Sequence, residues 1–228
     1  MIKYKHYSFD LWLTLIKSNP EFKRKRAEYF QEHFNRTNKS IKEIEAIIKR
    51  VDLMCNWINE TTGGCITPFE MYAMVLHLLD YDLNPLSVRD LQSIYVTIES
   101  IFFKYMPQLY DDSILSILSK LKKSGATIST LSNTGFIGGQ TMRIILKHIG
   151  VAGFIDFQIY SDELGCSKPN SLIFSAMIQS VNQLRIHNPC RIEEIIHIGD
   201  NEHADFMGAQ RAGVNSIKIN GLSISEIL

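Results

Sequence analysis

From about residue 18 to residue 110, apolar side chains recur at intervals of three and four. Phe22, Phe30 and Phe34 mark one stripe; Ile41, Ile44, Ile48 and Val51 mark a second. Phe69, Tyr72, Leu76 and Leu79 form a third, and Val88, Leu91, Tyr95, Ile98 and Phe102 a fourth. Such spacing gathers the apolar residues on one face of a helix, so it predicts four amphipathic helices. The segment TTGGCITP (61–68) separates the second from the third, and Pro68 suits a helix start. Four apolar faces can bury one another, which predicts a helical bundle.

The pattern differs on either side of this block. Residues 4–9 read as a short buried strand. After residue 110 the chain alternates. DDSILSILSKLKKSG is a helix stopped by Gly125, ATISTLSN is β-rich, and 138–149 is a helix ending at Gly150. FIDFQIYS is a strand candidate, and PNSLIFSAMIQSVNQL is a helix opening on Pro169. EIIHIGD is a strand, EHADFMGAQRAG a helix, and NSIKIN a last strand. Alternation of this kind predicts an α/β fold with a parallel sheet flanked by helices. The strand at 4–9 can join that sheet if the helical block is an insertion. The expected division is a core of 1–17 and 111–228, with the inserted bundle at 18–110.

Composition narrows the function classes. The 228 residues carry 24 Lys and Arg against 24 Asp and Glu, with 45% hydrophobic residues. A balanced charge argues against a nucleic-acid or anionic-membrane surface as the main partner. The basic run EFKRKRAEYF (21–30) reads as a solvated helix face. No apolar stretch approaches a membrane span, and the first residues lack the apolar core and cleavage site of a signal peptide. The four cysteines form no C-x-x-C pair, which fits reduced thiols in a cytoplasmic protein and offers no zinc site. Oligomeric state is left open.

The polar residues fall at one kind of place. Asp10 follows strand 4–9, Ser132 and Asn133 follow 126–131, Asp162 follows 154–160, and Asp200 follows 195–199. Asp205 comes five residues after Asp200, and Lys168 just precedes the helix opened by Pro169. In an open parallel sheet, ligands bind beyond the carboxyl ends of the strands. Converging carboxylates repel unless a cation or a lysine neutralises them, and oxygen ligands suit Mg²⁺. A cation, Lys168 and a hydroxyl then cradle an anion such as phosphate, and a carboxylate facing the phosphorus can act as nucleophile. The helix starts TGFIGG and KPN are expected to add backbone donors for the anion.

In that order, FDLWLTL, TLSN, GCSKPN and HIGDNEHAD resemble the four motifs of the haloacid dehalogenase (HAD) superfamily of hydrolases. The likeness covers essentially the whole chain. The helical block lies where one subfamily inserts its cap. The resemblance implies a Rossmann-like core and a small phosphorylated substrate, with neither nucleic acid nor membrane as partner. Asp10 would be the nucleophile, forming an aspartyl-phosphate. Ser132 would bond a phosphoryl oxygen, and Lys168 would neutralise charge on Asp10 and the phosphate. Mg²⁺ would be held by Asp10, the backbone carbonyl of Trp12 and Asp200, with Asp205 in or just outside its shell. Asn133, Thr14 and Trp12 would shape the substrate pocket, and the cap would close over the site. Arg24, Arg26, Arg36 and Lys104 are cations of the helical block that could meet an anionic substrate, although solvated surface charge is the ordinary state of each.

Two positions depart from the pattern. Trp12 stands where phosphatases of the family have an Asp that protonates the leaving group, and Leu13 stands where Gly is usual. An indole N–H is no acid in the working pH range. The residues leave three readings open. One is a Mg²⁺-dependent phosphohydrolase that is weak on ordinary phosphomonoesters. Another is a non-catalytic descendant that binds a phosphorylated ligand or a protein. The third is a 2-haloacid dehalogenase-like enzyme, against which GDNEHAD counts.

Overall fold

A computed structural model describes residues 4–219 and 224; Asn220, the last residue of the predicted NSIKIN strand, lies outside them. In chain order the elements are β1 (His6–Phe9), β2 (Ile16–Lys17), α1 (Pro20–Phe34), α2 (Ile41–Thr62), α3 (Pro68–Leu78) and α4 (Val88–Lys104). Then come β3 (Gln108–Leu109), α5 (Ile114–Lys123), β4 (Thr127–Ser132), α6 (Gly139–His148), β5 (Phe157–Tyr160) and α7 (Ser161–Leu164). The chain continues through α8 (Ser171–Leu184), β6 (Ile195–Gly199), α9 (Gly208–Arg211) and β7 (Asn215–Lys218).

Local chemistry sets the ends of the inserted helices. Ser40 with Glu43, Thr67 with Glu70 and Ser87 with Asp90 form reciprocal caps at the starts of α2, α3 and α4, each satisfying backbone N–H groups that the first turn leaves unpaired. Pro20 and Pro68 open α1 and α3. Gly63 closes α2 at φ +70°, a backbone region open to glycine at little cost. Most of the predicted stripe positions are buried, among them Phe22 and Phe30, then Ile44, Ile48 and Val51, then Tyr72 and Leu76, then Ile98 and Phe102; Val88, counted in the fourth stripe, is instead exposed at the first turn of α4.

The sheet has the order β5-β4-β1-β6-β7, with every neighbouring pair parallel. β1 therefore sits at its centre, and Asp10 leaves from its carboxyl end. The short β2 and β3 pair antiparallel where the chain enters and leaves the helical insertion. Alternation gives the central strands two unlike faces. Tyr7, Phe9, Ile128, Ile196 and Ile198 join the large apolar core. On the other face Ser8 registers with Ser129 and His197, all fully buried, beside a second core built from Phe174 and Met177 of α8. Among the described residues no helix is long and apolar enough to cross a membrane.

The segment after β6 differs from the continuous helix that EHADFMGAQRAG predicts. Glu202–Met207 is a π-helical turn, followed by α9. Asn201 Oδ1 accepts from the N–H groups of His203 and Ala204, while Asp205 Oδ2 accepts from Asn201 N–H at 3.0 Å. The turn is thereby folded back on β6. A Cβ at Gly199 would fall 2.2 Å from the Asp205 carboxyl, so this approach requires glycine there.

Candidate active site

Four loops at the carboxyl edge of the sheet meet around Lys168. Its Nζ donates to Asp10 Oδ1 at 2.7 Å, Asp205 Oδ1 at 2.6 Å and the Leu131 carbonyl at 2.6 Å, so all three ammonium protons are used. Lys168 is 2% exposed. An ammonium so deep is tolerable because two carboxylates offset its desolvation. Burial alone would lower its pKa, yet Asp10 and Asp205 outweigh burial and hold the group cationic. Carboxylate oxygens of Asp10, Asp200 and Asp205 lie within 4.8 Å of one another.

The three acids differ in state. Burial pushes the Asp10 carboxyl up to about 7 against the pull of Lys168, with Asp205 and Asp200 adding to the rise. Asp200 is raised too, first by burial and then by Asp205. Burial would also raise Asp205, but Lys168 and His197 together hold its carboxyl well below the usual range. Asp205 is thus the settled anion of the group. Its Oδ1 accepts from Lys168 and from His197 Nε2 at 3.0 Å, and its Oδ2 from Asn201 N–H.

The His197 contact fixes a tautomer. An ionised Asp205 can only accept, so His197 Nε2 carries the proton; burial lowers the pKa of the imidazole and keeps it neutral. His197 Nδ1 then accepts from Ser8 Oγ at 2.9 Å. This buried relay of Ser8, His197 and Asp205 lies beneath Lys168 and was missed in the sequence. A legible signal existed: polar His6, Ser8 and Asp10 alternate along an apolar strand, a period that places them on one face.

The other expected residues take varied places. Asn133 lines the cleft, and its amide clamps the Lys168 backbone: Oδ1 accepts from Lys168 N–H at 2.7 Å and Nδ2 donates to its carbonyl at 3.0 Å. Ser132 is buried at the end of β4, its Oγ donating to the Asn133 carbonyl at 3.3 Å. Thr14 is fully buried with no partner for its hydroxyl among the described residues, and it is not one of the cleft residues. Trp12 lines the cleft and packs on Phe102 of α4, with ring centroids 6.4 Å apart. No hydrogen bond reaches the Trp12 carbonyl among the described residues. Leu13 has φ +58° and is 53% exposed, which explains why glycine suits this position.

One expectation is corrected and another holds only in part. Asp162 does not join the site: its Oδ2 accepts from Gly139 N–H at 3.0 Å and so caps α6. Of the backbone donors in TGFIGG and KPN, those of Gly138, Lys168 and Asn170 are engaged internally, whereas Gly135, Phe136 and Ile137 line the cleft with N–H groups that have no partner among the described residues. Tyr95 Oη accepts from Gly138 N–H, Asn133 from Lys168 N–H, and the Ser167 carbonyl from Asn170 N–H.

The cleft encloses about 470 Å³ and is lined from both sides. The sheet edge supplies Asp10, Asn133, Lys168, Asp200 and Asp205; the insertion supplies Phe22, Arg26, Asp52, Asn56, Glu60 and Phe102. Asp52, Asn56 and Glu60 were not singled out in the sequence, although their spacing of four puts them on one side of α2. Glu60 Oε1 accepts from Asn201 Nδ2 at 2.7 Å, tying α2 to the loop that carries Asp200.

The acid cluster also fits a divalent ion. Three carboxylates face one ammonium, the donors are hard oxygens, and two of the acids are held above their ordinary pKa by burial and by the neighbouring acids, which a cation would relieve.

Comparison with known proteins agrees with this geometry. The chain is 30% identical over 105 residues to the glyceraldehyde 3-phosphate phosphatase of Methanothermobacter thermautotrophicus, a span of 46% of this chain and 42% of the relative. It is 28% identical over 106 residues to the pyrimidine 5'-nucleotidase YjjG of Escherichia coli, covering 46% and 43%. The matched region spans less than half the length of these curated relatives. The fold resembles that of YfnB from Bacillus subtilis, solved with magnesium bound, at a TM-score of 0.71 and 18% identity over 96% of this chain and 89% of that one. The family model for haloacid dehalogenase-like hydrolases matches residues 70–219, which hold Ser132, Lys168, Asp200 and Asp205. With about two thirds of its length under that model and the fold continuous through Asp10, the chain belongs to the haloacid dehalogenase-like hydrolase family.

Proposed function

We propose that this protein is a phosphohydrolase for a small phosphorylated metabolite, with Asp10 as nucleophile. The observation that carries the reading is Lys168: one buried ammonium holds Asp10 in place beside two further acids. An Asp10 oxygen attacks phosphorus while the bond to the leaving oxygen breaks. Water then displaces Asp10 from the aspartyl-phosphate, releasing inorganic phosphate and regenerating the carboxylate. Lys168 offsets charge on Asp10 throughout, and the Ser8–His197–Asp205 relay fixes where that ammonium stands. Ser132 is assigned to a phosphoryl oxygen, and Thr14 to support of the Asp10 loop.

Mg²⁺ would be held by Asp10, Asp200 and the Trp12 carbonyl, with Asp205, whose oxygens are occupied, at the margin. When bound it would supply positive charge to the transferring phosphoryl group. The helical insertion, 18–110, is assigned as a cap over a core of 1–17 and 111–228. Phosphatase and nucleotidase activities among the relatives support a phosphoryl substrate.

Trp12 shapes the preference. It cannot donate a proton to an alkoxide, so substrates whose leaving group departs without one, such as acyl phosphates, fit best. The test is phosphate release from acetyl phosphate with Mg²⁺. Release that depends on the ion and disappears in Asp10→Asn supports the assignment. Release indifferent to Asp10→Asn overturns it, and halide release from 2-chloropropionate without metal would favour carbon-centred chemistry instead.

A further inference from the structure

Arg26, on the cleft face of α1, is a cation with no acidic partner among the described residues. Its guanidinium packs over two rings, Cζ lying 5.0 Å from the Phe22 centroid and 4.6 Å from that of Phe136. Phe22 comes from the insertion and Phe136 from the loop after β4, so the two rings span both sides of the cleft. Among the described residues Arg26 makes no hydrogen bond and no ion pair, and its Nε is sealed from water without a partner. The Nε–H is therefore a buried donor without an acceptor, which costs free energy, and no protein acceptor among the described residues takes up the terminal N–H groups that line the cleft with it. Asp52 is near enough to feel the charge but forms no ion pair with it. Two aromatic rings pack against the guanidinium, and its N–H edge carries its directional binding capacity. An edge of parallel N–H groups matches a carboxylate or a phosphate.

We propose that Arg26 binds a second anionic group of the substrate, so that the natural substrate is a phosphorylated metabolite bearing a carboxylate or another phosphate. The inference rests on the reading of Asp10 as the phosphoryl site, since both residues line one cleft. Packing on Phe22 and Phe136 positions the guanidinium, and the side chain then selects for the far end of the ligand while Asp10 and Lys168 meet the near end. Lys23 and Lys17, exposed at the rim, add to the positive side of the cleft.

The test compares ligands that differ in one group. Binding of 3-phosphoglycerate and glycerol 3-phosphate is measured by calorimetry with Mg²⁺ on Asp10→Asn protein, with and without Arg26→Met. Fructose 1,6-bisphosphate and fructose 6-phosphate form a second pair of longer reach. In at least one pair the ligand with two anionic groups is expected to bind about tenfold or more tightly, and Arg26→Met abolishes the preference while leaving the affinity of the partner with one anionic group within about twofold. The melting temperature of Arg26→Met is expected to match or exceed that of the parent, because an unpaired buried charge is removed. A preference that survives Arg26→Met, no preference in either pair, or no binding at all overturns the inference. Hydrolysis by protein with Asp10 intact is scored separately. Selective binding without turnover defeats the phosphohydrolase reading and leaves the anion site standing; turnover without selectivity does the reverse.

Discussion

Lys168 Nζ stands 2.6 Å from Asp205 Oδ1, and this bond couples the site to the buried strand layer below it. Asp205 is held from underneath by His197 and from the side by Asn201 N–H, so the ammonium is anchored to a fixed acid. The third and fourth motifs thus act on Asp10 together.

Removing the ammonium should expose that dependence. In Lys168→Met, Asp10 and Asp205 remain buried without their shared countercharge. A loss of about 3–5 kcal/mol is expected in metal-free urea unfolding, with part of it restored by Mg²⁺ through preferential binding to the folded state. Phosphate release should vanish. Unfolding midpoints equal to the parent's would show that Lys168 carries no such burden.

Metal affinity should depend on pH in a defined direction. The folded Asp10 titrates near 7, above its ordinary value of 3.8, so between these limits the folded protein holds a proton that the unfolded chain has lost. Asp10 therefore makes metal-free stability fall as pH rises through this window, and the cost is fully present above it. Magnesium competes for the same oxygens, so its affinity should rise with pH and be roughly tenfold weaker at pH 6 than at pH 8. Calorimetric titration at the two values checks this; a flat profile contradicts it.

Trp12→Asp should restore an acid beside Asp10. General acid help contributes on the order of 10²–10⁴ in rate. A gain of that size on p-nitrophenyl phosphate and glycerol 3-phosphate is expected, greater for the poorer leaving group. A variant that binds Mg²⁺ but hydrolyses neither ester would instead support a non-catalytic protein.

Leu13→Gly should stabilise the loop. A left-handed leucine costs roughly 1–2 kcal/mol, offset by the roughly 0.5–1 kcal/mol of chain entropy that glycine adds to the unfolded state. The net is a gain of up to about 1.5 kcal/mol, readable as a higher urea midpoint at unchanged slope. A lower midpoint would mean that Leu13, despite its exposure, contributes packing worth more than the strain.

How far the sequence reached differs by residue. Phe22, Ile44, Tyr72 and Ile98 were readable as buried helix positions because a period of 3.6 records which side of a helix leaves water. The strand ends were readable too, since an acid terminating an apolar run marks an edge. Asp162 shows the limit. It occupies the same kind of strand end as Asp10 but is drawn to the amide of Gly139. Arg26 errs the other way: a basic residue in a charged helical run, it is half-buried against two phenylalanines, one of them 110 residues away.

The sequence by itself determined the α/β alternation, the four inserted helices and the order of the four motifs, because burial periodicity, caps and breakers act over a few neighbouring residues. Tertiary structure decided which polar groups meet. Asp10 and Lys168 are 158 residues apart and bond at 2.7 Å; Ser8 and His197 are 189 apart and bond at 2.9 Å. Such pairings depend on sheet order, register and the fold-back of one turn, which set distances that local patterning does not encode. A side chain's chemistry is written in its residue type, but its partner, and with it its charge and its role, is set by what the rest of the chain brings within three ångströms.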